Sequence, residues 1–196
     1  MMNSTQLRSR RFHVVIGLIS LLFVSVLVVR TSVSAFSSTA DNNGNQWTAG
    51  DVILEDDDSG AVMFTVGDMK PGDSDTHCIE VTYKGSLDAN VKMHGSLTPT
   101  LGDGLDDFLN LTVRRGTPGN FADCGAFVSS EVVYNGTIDG FVLDHPDFDN
   151  GAGTWAPTGG TPDDPMTYEF VVTLQDANGA QGLTTIANFS WEAQNT

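Results

Sequence analysis

Two cysteines and two of the four histidines are the residues best suited to hold a transition metal or to form a cross-link. They are Cys78, Cys124, His77 and His94. A structural zinc site normally uses spacings such as C-x-x-C or H-x-x-x-H, and these residues follow neither. An even number of cysteines in an exported chain normally forms disulfides. The sequence therefore predicts a Cys78–Cys124 disulfide, which would contribute about 3–4 kcal/mol to stability.

Aspartates in two turn-like segments offer the oxygen ligands that calcium prefers. Residues 56–58 form one segment, and Asp144, Asp147 and Asp149 lie in the other. Neither has the twelve-residue spacing of an EF-hand. Calcium is the only cofactor that the sequence suggests, with Asp144, Asp147 and Asp149 as candidate ligands. The simpler interpretation is that these carboxylates are solvated surface charges.

No set of residues in the sequence matches a known catalytic motif. The metalloprotease signature H-E-x-x-H does not occur, because the histidines stand at positions 13, 77, 94 and 145. The G-x-S-x-G motif of serine hydrolases is missing as well. A glycosidase-like carboxylate pair cannot be identified among 25 acidic residues. We therefore predict no catalytic residues.

Seven runs of β-branched and aromatic residues have the composition of strands, and Gly, Pro, Asn and Asp separate them. They span residues 63–66, 76–83, 91–97, 109–114, 131–142, 167–174 and 184–191. In the second run Ile79, Val81 and Tyr83 alternate with polar residues. Such alternation is typical of antiparallel sheets with one buried face. The predicted fold is all-β, an antiparallel β-sandwich or jelly roll of seven to nine strands with little helix.

Helix is expected only around residues 104–109, where Asp106 and Asp107 would favour the helix dipole. Residues 144–164 are rich in Gly, Pro and Asp and are predicted to form a long loop. The predicted core contains Trp47, Val52, Leu54, Phe64, Ile79, Val81, Leu111, Val113, Tyr168, Phe170, Val172, Phe189 and Trp191.

The first 35 residues have the order of an export signal. Three arginines at positions 8, 10 and 11 precede an apolar run over residues 12–29, and Val33-Ser34-Ala35 suits a signal peptidase. We predict a signal peptide over 1–35, a flexible segment over 36–46 and one β-sandwich domain over 47–196. Alternatively the apolar run is a retained anchor. Membrane contact is therefore expected only through an uncleaved leader.

The chain after the leader is strongly acidic. All 25 acidic residues but only five of the nine lysines and arginines lie after residue 35, which gives a net charge of −20. A surface of this kind repels nucleic acid and anionic lipid. Nucleic-acid binding is excluded as a function.

The junction after the leader carries a recognisable pattern. Ala35-Phe36-Ser37 is followed, after a polar spacer, by N-x-[FW]-x-[AS]-G-x-[LIV]-x-L at residues 45–54. This order of motifs resembles the TasA/camelysin group, secreted matrix-fibre proteins whose leader is removed by a dedicated signal peptidase. The resemblance continues in outline at residues 69–74 and 189–192. The two cysteines are a departure that the resemblance does not explain.

The resemblance implies a secreted structural protein of the extracellular matrix or cell surface, a subunit of a biofilm fibre. In such fibres the mature N-terminal segment adds as a strand to the next subunit. Here the matching residues are Phe36, Ser37, Ser38, Thr39, Ala40 and Asp41, with Phe36 as the anchor. Head-to-tail contacts do not close, so they propagate as filaments. The expected partners are other copies of the chain and other matrix or cell-wall components.

Two other functions stay open at this point. Camelysin-like members of the group are classed as metallo-endopeptidases, although this chain has no visible zinc motif. A monomeric, calcium-dependent surface-binding module would use the loop at residues 144–164.

Overall fold

The computed structural model describes the backbone of residues 37–39 and all of residues 50–98 and 104–196. In this part of the chain, nine strands form two antiparallel sheets that pack together as a sandwich. The strands are β1 (Ser37–Thr39), β2 (Leu54–Asp56), β3 (Ser74–Tyr83), β4 (Ala89–Leu97), β5 (Leu109–Thr117), β6 (Val128–Thr137), β7 (Ala152–Trp155), β8 (Asp164–Leu174) and β9 (Ala187–Asn195). The prediction of an all-β sandwich with little helix is confirmed.

The two sheets differ in size and in the strands at their edges. One sheet has four strands in the order β1-β9-β4-β7, and the other has five in the order β2-β3-β8-β5-β6. Every pairing between neighbours is antiparallel. The last strand, β9, therefore lies between β4 and the short N-terminal strand β1.

The core lies between the sheets and follows the alternation of the strands. Burying each large apolar side chain stabilises the fold by about 1.5–3 kcal/mol. Fully buried side chains include Tyr83, Val91, Met93, Leu111, Val113, Phe141, Tyr168 and Phe170. Most of the predicted core is confirmed, while Phe64, Phe189 and Trp191 are only partly buried against it. Trp47 lies outside the described residues.

The run at residues 131–142 is not one strand, which corrects the prediction. Strand β6 ends at Thr137, and helix α1 spans Ile138–Asp144. The Thr137 side chain accepts a hydrogen bond from the backbone N–H of Gly140 at 3.0 Å and so caps the helix. Ile138 and Phe141, three positions apart, are buried on one helix face. The sequence predicts a strand across this whole run because the β-branched residues before Thr137 favour strand structure.

Four smaller predictions also need correction. Residues 63–66 form no strand, and the predicted loop at 144–164 contains strand β7, which pairs with β4. The last strand begins three residues later than predicted, at Ala187. The expected helix near residue 105 is a single 3-10 turn, Leu105–Phe108, and a second such turn spans Asn178–Ala180. Short elements like these depend on tertiary pairing more than on local composition.

The predicted disulfide between Cys78 and Cys124 is present. Cys78 lies on the outer face of β3 and is 1% exposed, because the segment between β5 and β6 covers it. That segment is also held by Thr167, which donates a hydrogen bond to the Gly119 carbonyl at 3.0 Å. Disulfides persist in oxidising compartments, so the bond indicates a non-cytoplasmic protein.

The predicted signal peptide at 1–35 and most of the segment at 36–46 lie outside the described residues. Within the described ranges, no helix is long and apolar enough to cross a membrane.

Candidate functional site: the outer edge of β9

The N-terminal strand β1 pairs with the outer edge of β9 in the same chain. Ser37 lies opposite Gln194, Ser38 opposite Ala193 and Thr39 opposite Glu192. Three of the six residues predicted to add to a neighbouring subunit thus pair here within their own chain. Phe36, Ala40 and Asp41 lie outside the described residues. The pairing partner found here is the chain's own last strand, and assembly between chains stays a prediction.

The described part of β1 covers only one end of β9. Strand β9 runs from Ala187 to Asn195, and β1 lies beside residues 192–194. On its other side β9 pairs with β4 over all nine residues without a register shift. Among the described residues, no strand lies against the outer edge of β9 at residues 187–191. Main-chain groups that point outward there can pair with another strand.

A cleft of about 400 Å³ is lined in part by residues 187–191 of β9. Residues 187–191 form one wall, and the segment after β2, at residues 58–64, forms much of the other. Most of the lining is apolar. The apolar lining residues are Ala61, Val62, Met63, Phe64, Ile79, Ala187, Phe189 and Trp191. An extended peptide could thus pair with β9 and place alternate side chains in an apolar groove.

Aromatic packing fixes the β9 wall of the cleft. The Phe189 ring lies 5.0 Å from that of Phe170 and 5.6 Å from that of Phe141. The Trp191 ring lies 5.2 Å from that of Tyr168. These rings hold the wall in place, since Tyr168 and Phe170 are fully buried. The indole Nε1 of Trp191 is buried and makes no hydrogen bond within the described structure.

The opposite wall is held by two aspartates that the sequence had grouped as a calcium candidate. The Asp57 carboxylate accepts hydrogen bonds from the backbone N–H of Glu80 at 2.9 Å and of Phe121 at 2.7 Å. The Asp58 carboxylate accepts one from the Gly60 N–H at 2.6 Å. These bonds fix the turn that carries Val62 and Phe64 along the cleft. Val62 is 75% exposed at its rim.

Acidic groups at the cleft give it a charge that depends on pH. Burial raises the pKa of the Asp56 carboxyl, and the neighbouring Asp58 raises it further. On the outer face of the four-stranded sheet, His94 lies 3.6 Å from the Glu192 carboxylate. Because the pKa of Asp56 is raised and Asp56 lines the cleft, this carboxyl takes up a proton at a higher pH than an ordinary aspartate.

The predicted calcium ligands lie in the segment between α1 and β7. The Asp147 carboxylate accepts hydrogen bonds from the backbone N–H and the side-chain amide of Asn150, at 3.0 and 2.8 Å. These bonds lower the pKa of Asp147. Asp144 is the last residue of α1, and the Asp149 carbonyl accepts a 3.3 Å bond from the Lys92 ammonium. Calcium binding by these residues stays a prediction.

The cysteine and histidine candidates do not combine into one site. Both cysteine sulfurs are used in the disulfide, so neither is a thiolate ligand. His77 lies 3.3 Å from the Asp75 carboxylate and packs edge-on against Phe64, at 4.8 Å between ring centroids. His77 thereby supports the wall of the cleft.

A scan against protein-family models and a search of curated proteins find no match to this chain. The sequence predicts strand pairing of the N-terminal segment only with a neighbouring subunit. It gives no sign of the cleft, because residues 58–64 and 187–191 meet only in the folded sandwich.

Proposed function

We propose that the protein is a secreted structural subunit of an extracellular or biofilm-matrix fibre. Subunits join head to tail when the N-terminal strand of one pairs with β9 of the next. The observation that carries this proposal is the β9 edge, paired with the N-terminal strand over residues 192–194 and bordered by an apolar cleft. The resemblance of the leader junction to the TasA/camelysin group supports it.

Exchange of the strand between chains preserves the pairing described within one chain. Because the same residues meet in either case, the protein concentration decides between closed monomers and linked subunits. A donor strand that keeps this register and continues would place residues 40–44 opposite residues 191–187. Each added main-chain hydrogen bond would contribute about 0.5–1.5 kcal/mol. Strand alternation would place Phe36, Ser38 and Ala40 on one face of the donor.

The head-to-tail geometry explains why a fibre would follow. The donor strand lies at the N-terminus, and the acceptor lies along the last strand, so the contact is not self-complementary. A contact of this kind repeats and does not close into a dimer. The high negative charge of the chain would favour assembly in salt or with multivalent cations, which screen repulsion between subunits.

The first test compares the chain at residues 36–196 with the same chain lacking residues 36–41. We expect filaments by negative-stain electron microscopy only for the longer chain. Circular dichroism should show both to be folded, since the core lies in residues 50–196. Filaments of normal length after the deletion would overturn the proposal. A longer chain that stays monomeric under all salt and pH conditions would favour the surface-binding module, and zinc analysis with a protease assay would then test the endopeptidase alternative.

The second test asks which chain supplies the strand. Chains carrying Ser37→Cys are mixed with chains carrying Gln194→Cys, two positions that lie directly opposite in the pairing. Oxidation of the mixture should give a disulfide-linked heterodimer if β1 of one chain pairs with β9 of another. The matched control replaces Gln194→Cys with Val128→Cys, on the far edge of the five-stranded sheet. Equal cross-linking with the control would contradict strand exchange.

A further inference from the structure

Three aspartates from two separate elements lie close together, and none of them lines the β9 cleft. Asp106 and Asp107 belong to the 3-10 turn Leu105–Phe108, and Asp139 lies in the first turn of α1. One carboxylate oxygen from each residue lies within 4.8 Å of the others. Oxygens bound to one calcium ion at about 2.4 Å are at most about 4.8 Å apart. The spacing therefore matches a shared cation.

The burial of Asp106 distinguishes this cluster from an ordinary acidic surface. Its side chain is 2% exposed, and Oδ1 has no hydrogen-bond partner within the described residues. A buried carboxylate without a partner is strongly unfavourable unless a proton or a cation neutralises it. Asp107 is exposed and Asp139 is half-buried, so an ion could reach the cluster from solvent.

The basic residues of the described structure do not supply that neutralising charge. Lys84 pairs with Glu55, Arg114 with Glu169 and Arg115 with Glu131. No ion pair in the described residues includes any of the three aspartates. Burial raises the pKa of Asp139, and the charges of Asp107 and Asp106 raise it further. The three carboxylates thus repel one another.

We propose that Asp106, Asp107 and Asp139 bind a divalent cation of the calcium type. Three carboxylates with no nitrogen or sulfur ligand suit a hard cation and not zinc. Calcium takes six to eight oxygens in flexible geometry, so waters and backbone carbonyls would complete its shell. Magnesium requires a stricter octahedron and gives up its waters reluctantly, so it should bind the cluster less tightly.

The bound ion would join the 3-10 turn to helix α1. This helix buries Phe141, whose ring lies 5.6 Å from that of Phe189 in the sandwich core. The ion would therefore stabilise the folded chain even in the monomer, and the inference stands independently of fibre assembly. It also differs from the cluster Asp144, Asp147 and Asp149, where Asp147 already bonds to Asn150.

The test measures thermal unfolding of the chain at residues 36–196 in EDTA, in calcium and in magnesium. Calcium should raise the Tm by about 3–6 °C at a concentration roughly ten times its Kd, and magnesium should raise it less. Asp139→Asn should abolish the calcium shift and leave the Tm in EDTA unchanged or higher, because it removes charge repulsion. The matched control Asp144→Asn/Asp147→Asn should keep the full calcium shift.

Terbium luminescence gives a second readout that does not depend on stability. The Tyr134 ring borders the first turn of α1, where its hydroxyl donates a 2.9 Å hydrogen bond to the Thr137 carbonyl. Tyrosine excitation should therefore sensitise terbium in the wild-type chain, and calcium should displace it. Asp139→Asn should lose the signal. Absence of a calcium shift in the wild type, or its persistence in Asp139→Asn, would overturn the proposal and leave a proton as the neutralising group.

Discussion

Strands β9 and β6 both present a long main-chain edge, but the two edges differ in regularity. The pairing of β9 with β4 runs from Ala187 to Asn195 without interruption. The pairing of β6 with β5 shifts register twice, between Val113 and Arg114 and between Arg115 and Gly116. Such irregularities bend and twist an edge and discourage further pairing. Under the proposed function, a regular edge beside an apolar groove would favour strand addition, and of these two edges only β9 borders such a groove.

Two valine substitutions test the difference between the β9 and β6 edges, and they should give the largest effect. Val62 lies at the rim of the β9 cleft and is 75% exposed, whereas Val132 lies on β6 and is 56% exposed. Val62→Lys should slow filament growth at least about tenfold, because it replaces an apolar contact for the added strand with a charged side chain that must be desolvated. Val132→Lys should leave growth nearly unchanged. Light scattering at matched protein concentration measures both, and equal effects would remove the distinction between the edges.

The next prediction concerns the disulfide, which holds a segment over the five-stranded sheet and does not line the cleft. Replacing both Cys78 and Cys124 with serine should lower the free energy of unfolding by about 3–4 kcal/mol. The folded fraction should still form filaments, since the β9 edge is untouched. Urea titration and electron microscopy measure the two properties. A folded double variant that no longer assembles would show that the two regions are coupled.

The smallest expected effect is on the pH dependence of stability, and it involves two carboxyl groups. The pKa of Asp56 is raised by burial, so its stability contribution is present at low pH and is lost as the pH rises through that pKa. The pKa of Asp51 is lowered, chiefly by a hydrogen bond from the Ser86 side chain. Its contribution is present at neutral pH and is lost as the pH falls.

The two variants Asp56→Asn and Asp51→Asn should therefore change the pH profile in opposite senses. Relative to the wild type, Asp56→Asn should raise the free energy of unfolding more at neutral pH than at about pH 4.5. Asp51→Asn should lower the free energy of unfolding at neutral pH. Urea midpoints at both pH values measure these differences. Filament growth should also become less dependent on pH in Asp56→Asn, because Asp56 lines the cleft. Changes of the same sign in both variants would contradict the assigned pKa directions.

The sequence was sufficient to predict the parts of the fold that depend on local alternation. Ile79, Val81 and Tyr83 are buried on β3 as predicted, and Cys78 and Cys124 form the predicted bond. Helix α1 was missed because its apolar residues continue a strand-like run, and only the Thr137 cap indicated the change. Strand β7 was missed because four residues carry too little pattern, so pairing with β4 decides their structure.

The two sites show why functional geometry is harder to predict than strands. Nothing local in residues 58–64 indicates that they border β9, since the sheet order decides which strands become neighbours. The sequence assigns Asp106 and Asp107 only a helix-dipole role, since the burial of Asp106 and the approach of both residues to Asp139 follow from packing across more than thirty positions. Predicted ligands at 144–149 were chosen by density of aspartate alone, which does not report whether a carboxylate already has a partner.

The N-terminal strand that lies across the end of β9 has a consequence for how growth would begin. If the protein assembles as proposed, each subunit would carry its own strand on the acceptor edge, and two subunits could join only after one such strand detaches. Filament formation should then show a lag that seeds remove. The two ends of a filament would also be unlike, one with an acceptor edge and one with a loose strand. A synthetic peptide of residues 36–41 would then cap the acceptor end alone, and a growing fibre would have a direction from its first subunit.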